Sequence, residues 1–172
     1  MSRRSGGERV FVGLGANLGD ASGTVRAALN LLGTLPDTTL IASSSLYRTA
    51  PVQATGPDYS NAVAELRTRL TPHALFSELM TLEQRFARQR PFRNAPRSLD
   101  LDLLLFGERE ITSNELCVPH PRMWQRAFVL APLVELAPDL SCADGRSITA
   151  VLAGLADQQV VQVADSLRGT DA

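Results

Sequence analysis

The chain has 172 residues, 44% of them hydrophobic, and its 17 basic and 18 acidic side chains leave a net charge of −1. That is the length of one domain with enough apolar material for its own core, and such a balance gives no reason to expect a nucleic-acid or membrane-surface partner. All 17 cationic side chains are arginine, so Schiff-base chemistry, a lysine general base and the lysine-bearing phosphate loop are excluded, and a bound phosphate must be met by arginine forks.

Met1 to Arg9 is polar and charged, and no apolar run approaches the ~20 residues that span a bilayer, so a cytoplasmic protein is expected. Cys117 and Cys142 are too few for a disulfide framework and too distant in sequence for a metal pair.

In chain order, Val10 to Gly15 reads as a first strand. A helix follows with Thr24 as its cap and Val25, Ala28, Leu29 and Leu32 on one apolar face. Thr39 to Tyr47 is rich in β-branched and small residues and predicts a second strand. Asn61 to Thr68 alternates Ala62, Ala64 and Leu66 against Val63, Glu65 and Arg67, a third strand.

Thr71-Pro72 opens a second helix by cap and first-turn chemistry, with Leu75, Leu79, Leu82 and Phe86 as its buried stripe. Leu99 to Phe106, ended by Gly107, is the fourth strand. The order βαββαβ predicts an α+β, ferredoxin-like core: an antiparallel sheet with both helices on one face. Shorter elements follow, with helices at Phe128 to Leu136 and Ile148 to Leu155. Residues 9–160 are read as one domain, and 1–8 and 161–172 as flexible termini. Two ten-residue connections, Thr49 to Asp58 and Arg88 to Ser98, have the length of lids over a site.

The most informative segment is Arg97-Ser98-Leu99-Asp100-Leu101-Asp102-Leu103. Strand side chains alternate faces, so Asp100 and Asp102 share one side, roughly 7 Å apart along the backbone. Aspartate is a poor strand former, and paired carboxylates repel unless a cation lies between them. Magnesium suits that place, since it takes one or two carboxylate oxygens and completes its shell with water and phosphate. Alone, the pattern is more often a solvated strand face. The charge before it shifts the balance, because Arg85, Arg88, Arg90, Arg93 and Arg97 fall within thirteen residues. Mutual surface neutralisation accounts for Arg85 and Arg88 at a helix end but poorly for Arg97. Carboxylates for a metal beside arginines are the parts that phosphoryl transfer needs.

Three weaker constellations remain. In Val118-Pro119-His120-Pro121-Arg122 a histidine sits between prolines, with Arg126 and Phe128 downstream. Gly13 to Gly19 has the look of a dinucleotide fingerprint, but its glycines are misplaced and no acid follows where a ribose would be held. As a strand-to-helix turn it needs no function, although Asn17 could offer an amide to a heterocycle. Tyr47-Arg48-Thr49 with Asp58-Tyr59-Ser60-Asn61 puts an aromatic ring and an amide at a loop-to-strand junction, suited to a flat polar ligand or to capping the sheet.

Taken together, Val12 to Gly19, Tyr47-Arg48-Thr49, Asp58 to Asn61, Pro96 to Asp102 and Val118-Pro119-His120 closely resemble the 6-hydroxymethyl-7,8-dihydropterin pyrophosphokinases of folate biosynthesis. The resemblance implies a diphosphotransferase: the pterin hydroxymethyl oxygen attacks the β-phosphorus of MgATP and AMP leaves. It implies Arg88, Arg97 and Asp102 as catalytic, and Asp100 and Asp102 as ligands of two Mg²⁺ ions. Arg90, Arg97, His120 and Arg126 become ATP contacts, and Asn17, Thr49, Val52, Tyr59, Asn61 and Phe128 the pterin pocket. Ala50, Cys117 and Asn94 depart from the family pattern, and the stretch between Arg90 and Arg97 is one residue short of some members. The expected partners are ATP and a pterin, with neither nucleic acid nor membrane, for a protein working as a monomer. Two rival readings use the same fold: an ATP-dependent transferase with another acceptor, and a non-catalytic small-molecule-binding module.

Overall fold

The computed structural model of the chain describes residues 7–17, 19–50, 57–87 and 99–163. Strand β1 is Glu8–Ala16 and helix α1 is Ala21–Leu32. Strands β2 (Thr38–Ser43), β3 (Tyr47–Thr49) and β4 (Tyr59–Thr68) precede helix α2 (Pro72–Ala87) and strand β5 (Asp100–Phe106). A small hairpin of β6 (Ile111–Thr112) and β7 (Cys117–Val118), a 3₁₀ turn at Met123–Gln125, helices α3 (Ala127–Leu136) and α4 (Ile148–Ala153), and strand β8 (Val161–Gln162) complete it.

The main sheet runs β5-β1-β4-β3-β8, with β2 also paired to β4, and every pairing is antiparallel. This is the expected α+β arrangement, with β2 and β3 sharing the place of a single second strand. One sheet face carries Val10, Val12, Ala64 and Leu66 against Val25, Ala28, Leu29 and Leu32 of α1 and Leu75, Leu79 and Leu82 of α2. Both predicted helical stripes are thus buried, each fully buried leucine contributing about 1.5–3 kcal/mol. The other face packs Phe11, Val63 and Leu104 against Val129, Leu130 and Leu133 of α3 and Ile148 and Val151 of α4. Covering part of this second face leaves a hollow beside α3, and the site lies there.

Local chemistry explains the boundaries and three departures from expectation. Thr71 caps α2 as predicted, its hydroxyl accepting from the Ala74 N–H at 3.2 Å. Helix α1, however, is capped by Asp20 rather than Thr24; the Asp20 carboxylate accepts from the Gly23 N–H at 3.1 Å. The expected strand from Thr39 to Tyr47 is broken at Ser44 and Ser45. Both are fully buried: the Ser44 N–H still donates to the Val63 carbonyl at 2.9 Å, but the Val63 N–H donates to Ser44 Oγ at 3.0 Å instead of to a backbone carbonyl, and the Ser45 N–H donates to the Glu135 carboxylate at 3.0 and 3.1 Å. The segment expected to be a flexible terminus begins instead as a strand, with Val161 and Gln162 paired to Arg48 and Tyr47.

Candidate active site

A cavity of about 580 Å³ opens on the α3 side of the sheet. Its floor is set by strand alternation. Val12 and Leu14 of β1 point into the α1/α2 core, so Gly13 and Gly15 face the hollow. The same alternation in β5 buries Leu101 and Leu103 and turns the half-buried Asp100 and Asp102 to the cavity. In register, Gly15 lies opposite Asp100 and Gly13 opposite Asp102. No β1 side chain therefore crowds the carboxylates. β5 is the sheet edge, and α2 holds it between the two acids: the Leu101 N–H donates to a Glu83 carboxylate oxygen at 2.6 Å.

The other wall of the floor is β4. Gly15 also faces Asn61, whose Cα partner beyond is Tyr47 of β3. Asp100, Gly15 and Asn61 form one row across three strands, and two strand spacings put the acid and the amide about 10 Å apart. Asn61 is only 4% exposed and donates from Nδ2 to Thr49 Oγ1 at 3.0 Å, which fixes the amide with its other hydrogen and its oxygen left for a ligand. A Cβ at position 15 would lie 3.1 Å from Asn61 Oδ1, so the close approach of these strands depends on glycine.

His120 is held by a β-bulge. Phe11 pairs with Leu105 but Val12 with Leu103, so Leu104 is the extra residue. Its carbonyl accepts the His120 N–H at 2.9 Å. The imidazole Nδ1 accepts from the Arg122 N–H at 3.1 Å, which leaves the proton of the neutral ring on Nε2. Burial pushes the ring's pKa below 6.5; the Asp102 charge opposes this, and Arg126 and Arg122 reinforce it. From α3, Phe128 and Val129 form the roof, and the Arg126 guanidinium lies over the Phe128 ring at 5.5 Å. A second cavity of about 260 Å³ shares Asp102 and His120 with the first, and Phe76, Leu116, Cys117 and Pro121 help to line it.

Of the residues singled out in the sequence, Asn17, Thr49, Tyr59, Asn61, Asp100, Asp102, His120, Arg126 and Phe128 all border the larger cavity. Val52, Arg88, Arg90 and Arg97 lie outside the described residues. Sequence reasoning missed Gly13, Gly15, Ala50, Val63 and Val129 as lining residues. The two glycines carried a readable signal, since i, i+2 glycines inside a strand mark a close approach on one face. The bulge at Leu104 carried none. Among the described residues no cluster of three or more potential metal ligands exists, and no helix is long and apolar enough to cross a membrane.

The model of the 7,8-dihydro-6-hydroxymethylpterin-pyrophosphokinase family matches residues 11–138. The chain belongs to this family. Membership in the pyrophosphokinases makes it an enzyme, an ATP-dependent diphosphotransferase, as the motifs implied. It is 46% identical over 147 residues to the 2-amino-4-hydroxy-6-hydroxymethyldihydropteridine pyrophosphokinase of Pseudomonas aeruginosa, covering 85% of this chain and 91% of that one. The protein of the same name from Haemophilus influenzae is 37% identical over 154 residues, covering 89% and 96%. The fold is also that of wild-type HPPK-DHPS from Plasmodium falciparum, with a TM-score of 0.68 at 13% identity over 89% of this chain and 45% of that chain.

Proposed function

We propose that the chain transfers the diphosphate of ATP to the hydroxymethyl oxygen of 6-hydroxymethyl-7,8-dihydropterin, releasing AMP as a step of folate biosynthesis, with the cavity residues in the following roles. The observation that carries the assignment of roles is the Asp100–Gly15–Asn61 row. It sets a fixed amide about 10 Å from a carboxylate pair, with only a glycine between them, so a flat ring can lie across the floor and present its substituent to the acids. Asn61 reads the pterin's amide edge, held in orientation by Thr49. Tyr59 and Phe128 supply aromatic surface, and Asn17 borders the same pocket. Val52 belongs to this group by sequence alone.

The nucleotide enters from the other side. Asp102 and His120 line both cavities, which supports a triphosphate passing between them with the base in the smaller one. His120 offers its Nε2–H, and Arg126 its guanidinium, to phosphate oxygens. Neutral histidine donates there without needing a proton from solvent. Arg88, Arg90 and Arg97 are assigned to the same phosphates from the sequence.

Asp100 and Asp102 fit magnesium. Two half-buried carboxylates on one strand face, with no third protein ligand clustered among the described residues, suit a hard cation shared with a substrate rather than one caged by protein. Asp100 and Asp102 would hold the two Mg²⁺ ions, which would supply positive charge to the phosphates during transfer. Glu83, by tying the edge strand between the two acids, keeps their spacing. A monomer in the cytoplasm is the reading carried over from the sequence; among the described residues no helix is long and apolar enough to cross a membrane.

The test is AMP release from MgATP by the purified chain. Release should require 6-hydroxymethyl-7,8-dihydropterin. Equal release without a pterin, or with an unrelated alcohol, would refute the assignment of the acceptor.

A further inference from the structure

We infer that Gln158 is a positioning residue for Arg126: its amide grips both peptide groups that flank the arginine and thereby aims the guanidinium into the cavity. Gln158 Oε1 accepts from the Ala127 N–H at 2.8 Å, and Nε2 donates to the Gln125 carbonyl at 3.0 Å. Those two groups belong to the peptide units immediately after and immediately before the Arg126 Cα. With both planes held, the direction of the Cα–Cβ bond is set, and that bond launches the side chain.

Locally, the Arg126 N–H donates to the Met123 carbonyl at a long 3.3 Å, and Gln158 adds shorter bonds to both flanking peptides. Arg126 is the N-cap of α3, and its side chain makes no cap bond to the helix. The first helical N–H, that of the buried Ala127, is one of the orphan donors of a helix start, and Gln158 takes it from outside the helix. The Arg126 carbonyl is already engaged by Val129 and Leu130 N–H groups at 3.0 Å each. The helix therefore holds the peptide after Arg126 and the 3₁₀ turn the one before it, and among the described residues Gln158 alone cross-links the two.

Gln158 is itself anchored by the chain that follows. Val161 and Gln162 pair with Arg48 and Tyr47, the Val163 N–H donates to the Leu46 carbonyl at 2.8 Å, and Gln162 Nε2 donates to Ser45 Oγ at 2.9 Å. The segment from Gln158 to Val163 thus ties the start of α3, which brings Arg126 and Phe128 to the cavity, to β3, which brings Thr49. It lies beyond the family match at residues 11–138. Gln158 is exposed and packs no core, so what it contributes comes through its two amide hydrogen bonds.

The inference rests on the reading of Arg126 as a phosphate contact, and a double-mutant cycle separates the two. Gln158→Met keeps the side-chain volume and removes both hydrogen bonds. Gln158→Asn keeps an amide too short to reach both peptides, and serves if the first variant does not fold. Either should lower kcat/KM for MgATP about three- to tenfold, the size expected from losing two modest hydrogen bonds, with the thermal midpoint lowered by a few degrees as the buried Ala127 N–H loses its acceptor. In an Arg126→Ala background the same substitutions should have no further effect on that parameter. A loss of equal size in both backgrounds, or no loss in either, overturns the positioning role while leaving the site as proposed. Wild-type MgATP kinetics in Arg126→Ala alone overturns the phosphate contact, and the inference with it.

Discussion

Gly15→Ala tests the floor of the site with a single carbon. The new Cβ would stand 3.1 Å from Asn61 Oδ1, so the amide must retreat by a few tenths of an ångström. Its retreat is obstructed, because Asn61 is 4% exposed and its Nδ2 is bonded to Thr49 Oγ1 at 3.0 Å. Stretching that bond costs up to the ~0.5–1.5 kcal/mol of an ordinary hydrogen bond. Replacing glycine in a strand returns about 0.5–1 kcal/mol through the unfolded chain. The two offset, so the thermal midpoint should move by less than about 3 °C. Ligand binding has no such compensation. Displacing the amide weakens the contacts it offers the pterin ring, and a loss of about 1.4–2.8 kcal/mol corresponds to 10- to 100-fold in affinity. Titration calorimetry of the pterin, in the presence of a nonhydrolysable MgATP analogue, reads this directly. Wild-type affinity in a folded Gly15→Ala protein would show that Asn61 does not hold the ring, and the pterin end of the cavity would have to be reassigned.

The remaining predictions concern the acids, the histidine and the α3 anchor. Asp102→Asn should lower pterin-dependent AMP release by at least about 10³-fold while far-UV dichroism and the thermal midpoint stay near wild type, since the proposed metal would lose a carboxylate ligand. Substantial turnover would refute the metal assignment. His120 has a folded-state pKa below 6.5 because burial, with Arg126 and Arg122, outweighs the pull of Asp102. A depressed histidine pKa means that the unfolded chain binds more protons, so its stabilising contribution is complete above pH 6.5 and is lost as pH falls through the folded-state value. Urea midpoints measured without magnesium should fall over that window, and His120→Gln should flatten this part of the curve. Glu135→Gln replaces a carboxylate that accepts from Ser45 N–H, Ser45 Oγ and, at 2.8 Å, Tyr47 Oη. Burial of Tyr47 and this bond raise the phenol's pKa well above its usual 10. Leaving fully buried Ser45 short of an acceptor should cost about 1–3 kcal/mol in urea unfolding, and an unchanged midpoint would refute the anchoring role.

Alternation and capping chemistry made much of this architecture readable before any coordinates. Leu75, Leu79 and Leu82 declare a buried helical stripe, Thr71-Pro72 declares where that helix starts, and Asp100-Leu101-Asp102 declares two acids on one strand face. What escaped is decided by partners far along the chain. Nothing local in Ser43-Ser44-Ser45 says that a strand breaks there, because the reason is a carboxylate 90 residues later on α3. Asp20 and Thr24 are both legitimate caps, and the choice depends on where β1 ends. Val161 and Gln162 are exposed, without the alternation that marks a strand, and become one only because β3 offers an open edge. Gly13 and Gly15 were placed on the first strand from the sequence, but their spacing was weighed as a dinucleotide fingerprint rather than as a bare patch on one strand face.

The site's residues come from elements with little else in common, and the sheet explains why they meet. Asp100 and Asp102 are on the edge strand, Asn61 is two strands away, and His120 and Arg126 follow the core strands in sequence. A flat floor for a ring requires that the strand between acid and amide carry no side chain, which glycine at position 15 achieves. Bringing His120, the proposed phosphate donor, beside that floor requires that a later segment reach the sheet, and the extra residue Leu104 provides the carbonyl that captures it. Both devices spoil a regular sheet, one by removing a Cβ and the other by breaking register, and both lie on the face that α3 only partly covers. On the α1/α2 face the central strands present Val10, Val12, Ala64 and Leu66 in unbroken alternation, and the sheet's other register shift, between Leu40 and Ala42 in the β2–β4 pairing, lies away from the cavity. The bare glycines and the Leu104 bulge thus give the site its space, and the fully packed face offsets their cost in stability.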